Sequence, residues 1–333
     1  MTKDTYLITG GTGSFGNAFI DYLIKSKKKI NKLVVFSRDE LKQSILAEKY
    51  PVSKYNFIRF FLGDVRDYER CLSATKGIEN IIHAAALKQV PSTEYNPFEA
   101  IKTNILGAQN IISAAINNKA KNVVALSTDK ACAPINLYGA TKLCSDKLFI
   151  SANNIVGRQK IKFSVVRYGN VFGSRGSVYP VFKNYIDKNF FPLTEKNMTR
   201  FNITLNEGVK LVFKALDKSV GGEIFVPKLK SFRIIDLAKA MNKKNKLKII
   251  GIRPGEKIHE QMITKSDSYS TLELKDMYII LPSNDKKKIE YYKKKFNAKN
   301  VKIDFEYSSN QNEEYLSVEQ LEKIILNEEK SKF

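Results

Sequence analysis

Residues 5–16 read Thr5-Tyr6-Leu7-Ile8-Thr9-Gly10-Gly11-Thr12-Gly13-Ser14-Phe15-Gly16, an apolar β-type run that breaks into glycines at 10, 13 and 16. Such a run, followed by a glycine turn and a helical pattern, predicts strand, tight turn and helix in that order. Glycine there allows the tight turn, the close approach of backbone to a pyrophosphate, and tight packing of the helix. The helix N-terminus then meets the phosphates. Gly10, Thr12, Gly13, Ser14, Phe15 and Gly16 are therefore candidate dinucleotide-binding residues. Their spacing is G-x-x-G-x-x-G rather than G-x-G-x-x-G.

Outward from that turn, β-type runs over 5–9, 33–37, 57–62, 80–84, 123–127 and 162–167 alternate with helical patterns over 17–25, 39–49, 67–74, 97–117 and 138–153. The alternation predicts parallel strands with crossover helices on both faces. The expected fold is α/β, a Rossmann-type doubly wound parallel sheet. After about residue 170 the pattern loosens, with helices expected over 207–217, 234–241 and 318–326. The expected organisation is a dinucleotide-binding domain over 1–170, to which some later segments return, and a smaller, interleaved substrate domain over 171–333. The Lys- and Glu-rich tail from about 284 is expected to be partly mobile.

The 333 residues are 43% hydrophobic and 27% charged, enough for a sizeable core. The formal charge of +22 is spread over Lys27-Lys28-Lys29, Lys243-Lys244, Lys286-Lys287-Lys288 and Lys293-Lys294-Lys295. Spread in this way it reads as a solvated surface rather than a nucleic-acid face. No run approaches the roughly 18 apolar residues of a membrane helix, and no basic-then-apolar leader precedes the first strand. Neither a nucleic-acid nor a membrane partner is expected. Cys71, Cys132 and Cys144 lie far apart, which argues for a reducing compartment and hence the cytoplasm. His83 and His259, with no paired cysteines, make no recognisable metal set.

Ser37-Arg38-Asp39 ends the second strand, about twenty residues past the last glycine, where an acid binds the ribose of NAD and an arginine accommodates the extra phosphate of NADP. Ser37-Arg38 favours NADP over NAD; the plainer alternative is a capping serine with surface neighbours. Asp64-Val65 can hold the adenine edge, with Asp64 accepting from the exocyclic amine. Ala84-Ala85 lacks bulk where a cofactor must pass, and His83 reads as structural. Tyr138 and Lys142, four apart on a helix, share a face. An ammonium beside a phenol lowers its pKa and makes the tyrosine a usable base. Thr128-Asp129-Lys130 places an acid and an amine side by side, able to remove water from a sugar. The plainer reading makes Asp129 a cap and Lys130 a surface residue.

Taken together, Gly-Gly-Thr-Gly-Ser-Phe-Gly, Ser37-Arg38-Asp39-Glu40, Ser127-Thr128-Asp129-Lys130-Ala131, Tyr138-Gly-Ala-Thr-Lys142, Tyr168-Gly-Asn-Val171, Met198-Thr-Arg-Phe201 and Arg253-Pro-Gly-Glu-Lys257 resemble the inverting UDP-N-acetylglucosamine 4,6-dehydratases of the extended short-chain dehydrogenase/reductase superfamily. The resemblance spans about residues 1–265. It implies an enzyme of the lyase class that recycles a tightly bound NADP and opens pseudaminic acid synthesis. Tyr138 would take the 4-hydroxyl proton while a hydride leaves C4, Lys130 the C5 proton, and Asp129 would protonate the departing 6-hydroxyl. The hydride then returns to C6, and inversion at C5 gives UDP-2-acetamido-2,6-dideoxy-β-L-arabino-hexos-4-ulose. Relatives that retain C5 configuration carry Asp-Glu where this chain has Asp129-Lys130. Lys88 is implied at the substrate or cofactor rim. Asn170, Arg175, Thr199, Arg200, Arg253 and Glu256 are implied around the diphosphate and uridine. A homo-oligomer, dimer or hexamer, is also implied.

Three alternatives stay open. Leu87-Lys88-Gln89-Val90 looks like the capsule-type UDP-N-acetylglucosamine dehydratase/5-epimerases. A nucleotide-sugar 4-epimerase would need Tyr138 and Lys142 but no acid–amine pair. A nucleotide-binding regulator would keep the fold without catalysis.

Overall fold

The computed structural model describes residues 4–26, 28–174 and 176–330. The first half reads β1 (Asp4–Thr9), α1 (Ser14–Lys25), β2 (Ile30–Ser37), α2 (Glu40–Lys49), β3 (Ile58–Leu62), α3 (Tyr68–Thr75), β4 (Asn80–His83), α4 (Val90–Tyr95), α5 (Pro97–Ile101), α6 (Gly107–Asn117), β5 (Asn122–Thr128), α7 (Leu137–Ala152) and β6 (Lys162–Tyr168). There follow α8 (Val178–Lys183), β7 (Phe190–Leu193), β8 (Thr199–Phe201), α9 (Leu205–Lys218), β9 (Ile224–Pro227), β10 (Ser231–Arg233), α10 (Ile234–Met241) and β11 (Lys246–Ile249). The last elements are β12 (Gln261–Ile263), β13 (Thr271–Glu273), β14 (Met277–Ile280), α11 (Lys286–Phe296), β15 (Lys299–Asn300), β16 (Tyr307–Ser308) and α12 (Val318–Lys330).

The main sheet runs β3-β2-β1-β4-β5-β6-β9 in parallel and is extended by β14, β13 and β15 through antiparallel pairs. It is the doubly wound Rossmann-type sheet expected from the alternation. Side chains one residue apart leave a strand on opposite faces. Leu7, Val34, Ile81, Val123 and Val165 join Ile111 and Phe149 on one face. Tyr6, Ile8, Val35, Ile82 and Val124 join Phe19, Leu23 and Phe213 on the other. Each such side chain, fully buried, contributes about 1.5–3 kcal/mol. A separate core of Phe172, Tyr179, Phe182, Phe191, Phe232 and Leu321 holds the later elements together.

One region differs from the sequence pattern. The helix expected over 97–117 is broken by a π-helical turn, Lys102–Leu106. Within it Asn104 is buried and bonds both the N–H and the carbonyl of Leu87, as well as the Thr141 hydroxyl. The tail past 284 forms α11 and α12, anchored by the fully buried Tyr292 and Leu321. No described helix is long and apolar enough to cross a membrane.

One contact positions the site. Asn136 caps α7 by accepting the Gly139 N–H at 2.8 Å. A Cβ on Gly139 would lie 2.1 Å from the carbonyl oxygen of Lys130, in the turn Asp129–Ala131 that follows β5. Only glycine lets the first turn of α7 lie against that turn. Gly139→Ala is expected to cost about 1–3 kcal/mol through overpacking, read as a melting temperature a few degrees lower in thermal denaturation.

Candidate active site

A single cavity of about 1080 Å³ runs from the end of β1 across the ends of β4, β5 and β6 to the later elements. Ligand pockets are typically about 300–1,000 Å³, so it has room for two ligands side by side. It opens beside the crevice where the strand order reverses between β1 and β4, the place where doubly wound sheets bind nucleotides.

At its first end the glycines act as spacers. Gly10 adopts φ +63°, and a Cβ there would meet the backbone of Ala84 and Ala85 at 3.1–3.2 Å. A Cβ on Gly16 would lie 2.1 Å from the Gly11 carbonyl oxygen, so Gly16 serves helix packing. The Thr9 hydroxyl accepts from the N–H groups of Ala84 and Ala85, both at 3.1 Å, and bonds His83 Nδ1 at 3.0 Å. Burial pushes His83 down to about 3, which keeps it neutral and structural. α1 begins after Gly13 with no side-chain cap and no acid in its first turn, which suits an incoming anion. Thr12, Ser14 and Phe15 line the same end, so a dinucleotide fits the residues present.

Ser37 and Arg38 line the cavity at the tip of β2. Asp39, not Ser37, caps α2, accepting from the Lys42 N–H at 3.0 Å. Lys42 pairs with Asp39 and also lines the cavity, putting a second cation beside the 55%-exposed Arg38. Burial acts to raise the pKa of Asp64, but hydrogen bonds from Arg66 outweigh it and hold the carboxyl below its usual range. Asp64 accepts one hydrogen bond from Arg66 on Oδ1 and two on Oδ2. That leaves Oδ1 an acceptor site for an adenine amine. Val65, Ala84 and Ala85 complete this wall, and Lys88 lies exposed on the rim.

The middle of the cavity holds the polar centre. Thr128 donates to Asp129 Oδ1 at 2.7 Å, and Lys130 Nζ lies 3.2 Å from Asp129 Oδ2. Asp129 is 2% exposed. Burial alone would raise its pKa, yet the Lys130 charge and the Thr128 bond keep it below the usual range. Lys130 is opposed by burial but held above its ordinary value by Asp129 and Glu260. Tyr138 and the buried Lys142 line the same space from α7. Here the expected phenol chemistry changes. Burial pushes Tyr138 up to about 12, and the largest opposing charge is Lys130 rather than Lys142. Burial lowers the pKa of Lys142, with Asp146 opposing.

The substrate-side expectations divide. Arg253 and Glu256 pair at 2.8 Å on the cavity wall. Thr199 is misplaced by the sequence reading: it bonds His259 Nδ1 and Ser309 Oγ instead of lining the cavity. Its neighbours Met198 and Arg200 face the cavity, as alternation along β8 requires. Arg200, expected to grip a diphosphate, is committed within the protein. Its guanidinium bonds the carbonyls of Thr199 and Ile258, contacts Met198 Sδ, and pairs with Glu260 at 3.3 Å and Glu256 at 3.7 Å. Asn170 bridges Lys130 and Glu260. Arg175 lies outside the described residues. Among the described residues no group of three metal-ligating side chains is found.

Glu260 and Asn104 were not singled out in the sequence, and Lys257 only as the end of a motif. Lys257 Nζ donates to the Cys132 carbonyl at 2.6 Å, and Asn136 donates to the Gly255 carbonyl at 2.8 Å, latching this segment to the start of α7. The available signal for Glu260 was a carboxylate entering the apolar run Met262-Ile263 three residues beyond the Arg253–Lys257 motif.

A family model described as polysaccharide biosynthesis protein matches residues 6–282. The chain is 49% identical over 336 residues to the UDP-N-acetylglucosamine 4,6-dehydratase (inverting) of Campylobacter jejuni, with 98% of each chain covered. It is 42% identical to a Rickettsia bellii protein named UDP-glucose 4-epimerase, over 97% of this chain and 95% of that one. Among solved structures, Pen from Bacillus thuringiensis superposes with a TM-score of 0.87 at 38% identity, over 98% of both chains.

The Arg200 fork makes a testable demand. Arg200→Lys keeps the charge but leaves carbonyls and a carboxylate short of donors, and is expected to lower unfolding free energy by about 1–3 kcal/mol in denaturant titration.

Proposed function

Because the chain belongs to the polysaccharide biosynthesis protein family, among the extended short-chain dehydrogenase/reductases, we propose that it is an inverting UDP-N-acetylglucosamine 4,6-dehydratase that uses NADP. The observation that carries this is the pairing of buried Asp129 with the partly exposed Lys130, 3.2 Å apart, on the same cavity as Tyr138. A sugar 4-epimerase needs Tyr138 and Lys142 alone, and an acid–amine pair beside them has no task in epimerisation. The epimerase name carried by the Rickettsia relative makes that reaction the rival to test.

NADP held by the glycine turn, Arg38 and Asp64 would supply a hydride acceptor and then a donor, so that no net oxidation results. Tyr138 takes the proton of the 4-hydroxyl, with the Lys130 ammonium offsetting the burial of its phenolate. Lys130, 28% exposed, then gives its ammonium proton to solvent and, as the amine, removes the C5 proton acidified by the new ketone. Asp129 hands a proton to the 6-hydroxyl, which leaves as water. Protonation of C5 from the opposite face completes the inversion. The product is the L-arabino 4-keto sugar, and the first step of pseudaminic acid synthesis is the setting this reading gives it.

Supports for the finer parts come from single features. Arg38 and Lys42 at the β2 tip favour NADP over NAD. Arg253 and Lys88, on the wall and rim of the cavity, suit the uridine diphosphate. A cofactor part over 1–170 and a mainly substrate-binding part over 171–333 belong to the same reading. So does a homo-oligomer, supported by exposed Tyr95, Phe98 and Leu106 along α4, α5 and the π turn. Free Cys71, Cys132 and Cys144 support a cytoplasmic setting.

In deuterated water the protein should convert UDP-N-acetylglucosamine to a 6-methyl product carrying deuterium at C5. A 4-epimer with its 6-hydroxyl intact would overturn the assignment. Lys130→Ala should abolish elimination while leaving NADP affinity unchanged by calorimetry. Arg38→Ala should weaken NADP by about tenfold, roughly 1.4 kcal/mol, and leave NAD binding almost unaltered.

A further inference from the structure

Glu260 is a polar group of this centre that the elimination leaves without a task. Its side chain is 3% exposed and faces the cavity. Asn170 Nδ2 and Arg200 Nε donate to Oε1, and the Phe201 N–H donates to Oε2 at 3.2 Å. Lys130 Nζ stands 3.8 Å from Oε1. The Asp129 and Glu260 carboxyls both face Lys130 Nζ, at 3.2 and 3.8 Å, close enough to act on each other. A hydrogen bond between them would need a proton on one.

We propose that Glu260 stores the proton that Asp129 delivers to the departing 6-hydroxyl, and so acts as a positioning residue through Asp129 and Lys130. The two carboxyls part in the direction this requires. Burial first, and the Asp129 charge second, push Glu260 up to about 8, while Asp129 stays ionised. The charged groups facing Glu260 are Asp129 and Lys130 from the turn after β5, Arg200 from β8, and Lys257 from its own segment. Like carboxyls packed this closely titrate apart.

Atoms and electrons balance. The C5–H electron pair becomes the C5–C6 π bond, and that proton goes to the Lys130 amine. The C6–O electron pair leaves with oxygen, which takes a proton from Asp129. Glu260 supplies that proton to Asp129, so both carboxylates end ionised beside a charged Lys130. With Glu260 protonated beforehand, Lys130 faces one carboxylate rather than two, and its amine form is easier to reach.

Glu260's role rests on the reading of Asp129 and Lys130 as the elimination pair, and the two fail differently. If that reading is wrong, the unaltered enzyme makes a product that keeps its 6-hydroxyl. The present inference is tested in Glu260→Gln, with Glu260→Asp beside it, assayed as the NADP-loaded enzyme with UDP-N-acetylglucosamine across about pH 6–10. For the unaltered enzyme kcat should fall as pH rises through about 8, where Glu260 loses its proton. In Glu260→Gln, whose amide can donate a hydrogen bond but not its proton, that fall should vanish. Its kcat should drop by about 10²-fold with KM within about threefold. Reduced nicotinamide should then build up in a single turnover, because the first hydride transfer is spared. Glu260→Asp should recover part of kcat and restore a basic fall at a shifted pH. Near-normal kcat in Glu260→Gln, or an unchanged basic fall, overturns the proposal. So does a KM effect alone. Should Glu260→Gln fail to fold by thermal melting, an unshifted basic fall in Glu260→Asp does the same.

Discussion

The closeness of two backbones decides what this centre can be. Helix α7 carries Tyr138 and Lys142, and the turn after β5 carries Asp129 and Lys130. The two meet where Gly139 leaves no Cβ between them and the Lys130 carbonyl. A helix displaced by one methyl group would separate the phenol from the acid–amine pair. Chemistry that depends on reacting groups within about 3–3.5 Å tolerates little such displacement. The cap from Asn136, and its bond to the Gly255 carbonyl, extend the same constraint to the far wall of the cavity.

Electrostatics follow from that crowding. Asp129, Arg200 and Glu260 sit almost wholly out of water, with the partly exposed Lys130 beside them. Buried ion pairs of this kind are weak evidence for stability, because desolvation takes back much of what attraction gives. Their presence is better explained by pKa control: each charge moves the proton affinity of the next, and the set holds a carboxylate, an amine and a phenol in one connected field. The glycine turn at the other end of the cavity is built the other way, with small residues and open amides.

Much of this was legible in the chain. The strand–glycine–helix opening, the alternation of elements and the four-residue spacing of Tyr138 and Lys142 are local patterns, and local patterns survive folding. What escaped is set by distant partners. Nothing near Lys102 announces a π turn, which answers to the Leu87 backbone and Thr141. Thr199 looked like a substrate contact until the register of β8 turned it toward Ser309. Arg200 reads in the sequence as a donor for a diphosphate, because Glu260, the carboxylate it pairs with, lies sixty positions away. Burial, too, reversed the expected direction for the Tyr138 phenol.

The later elements are sewn into the sheet rather than hung from it. β9 lies beside β6, and β13, β14 and β15 extend the same sheet, so the chain leaves the cofactor side and comes back to it. A lobe tied at several crossings has no single hinge. It cannot swing open like a tethered lid, and exchange of a bulky ligand must be borne by the segments between crossings, such as the latch through Gly255 and Lys257.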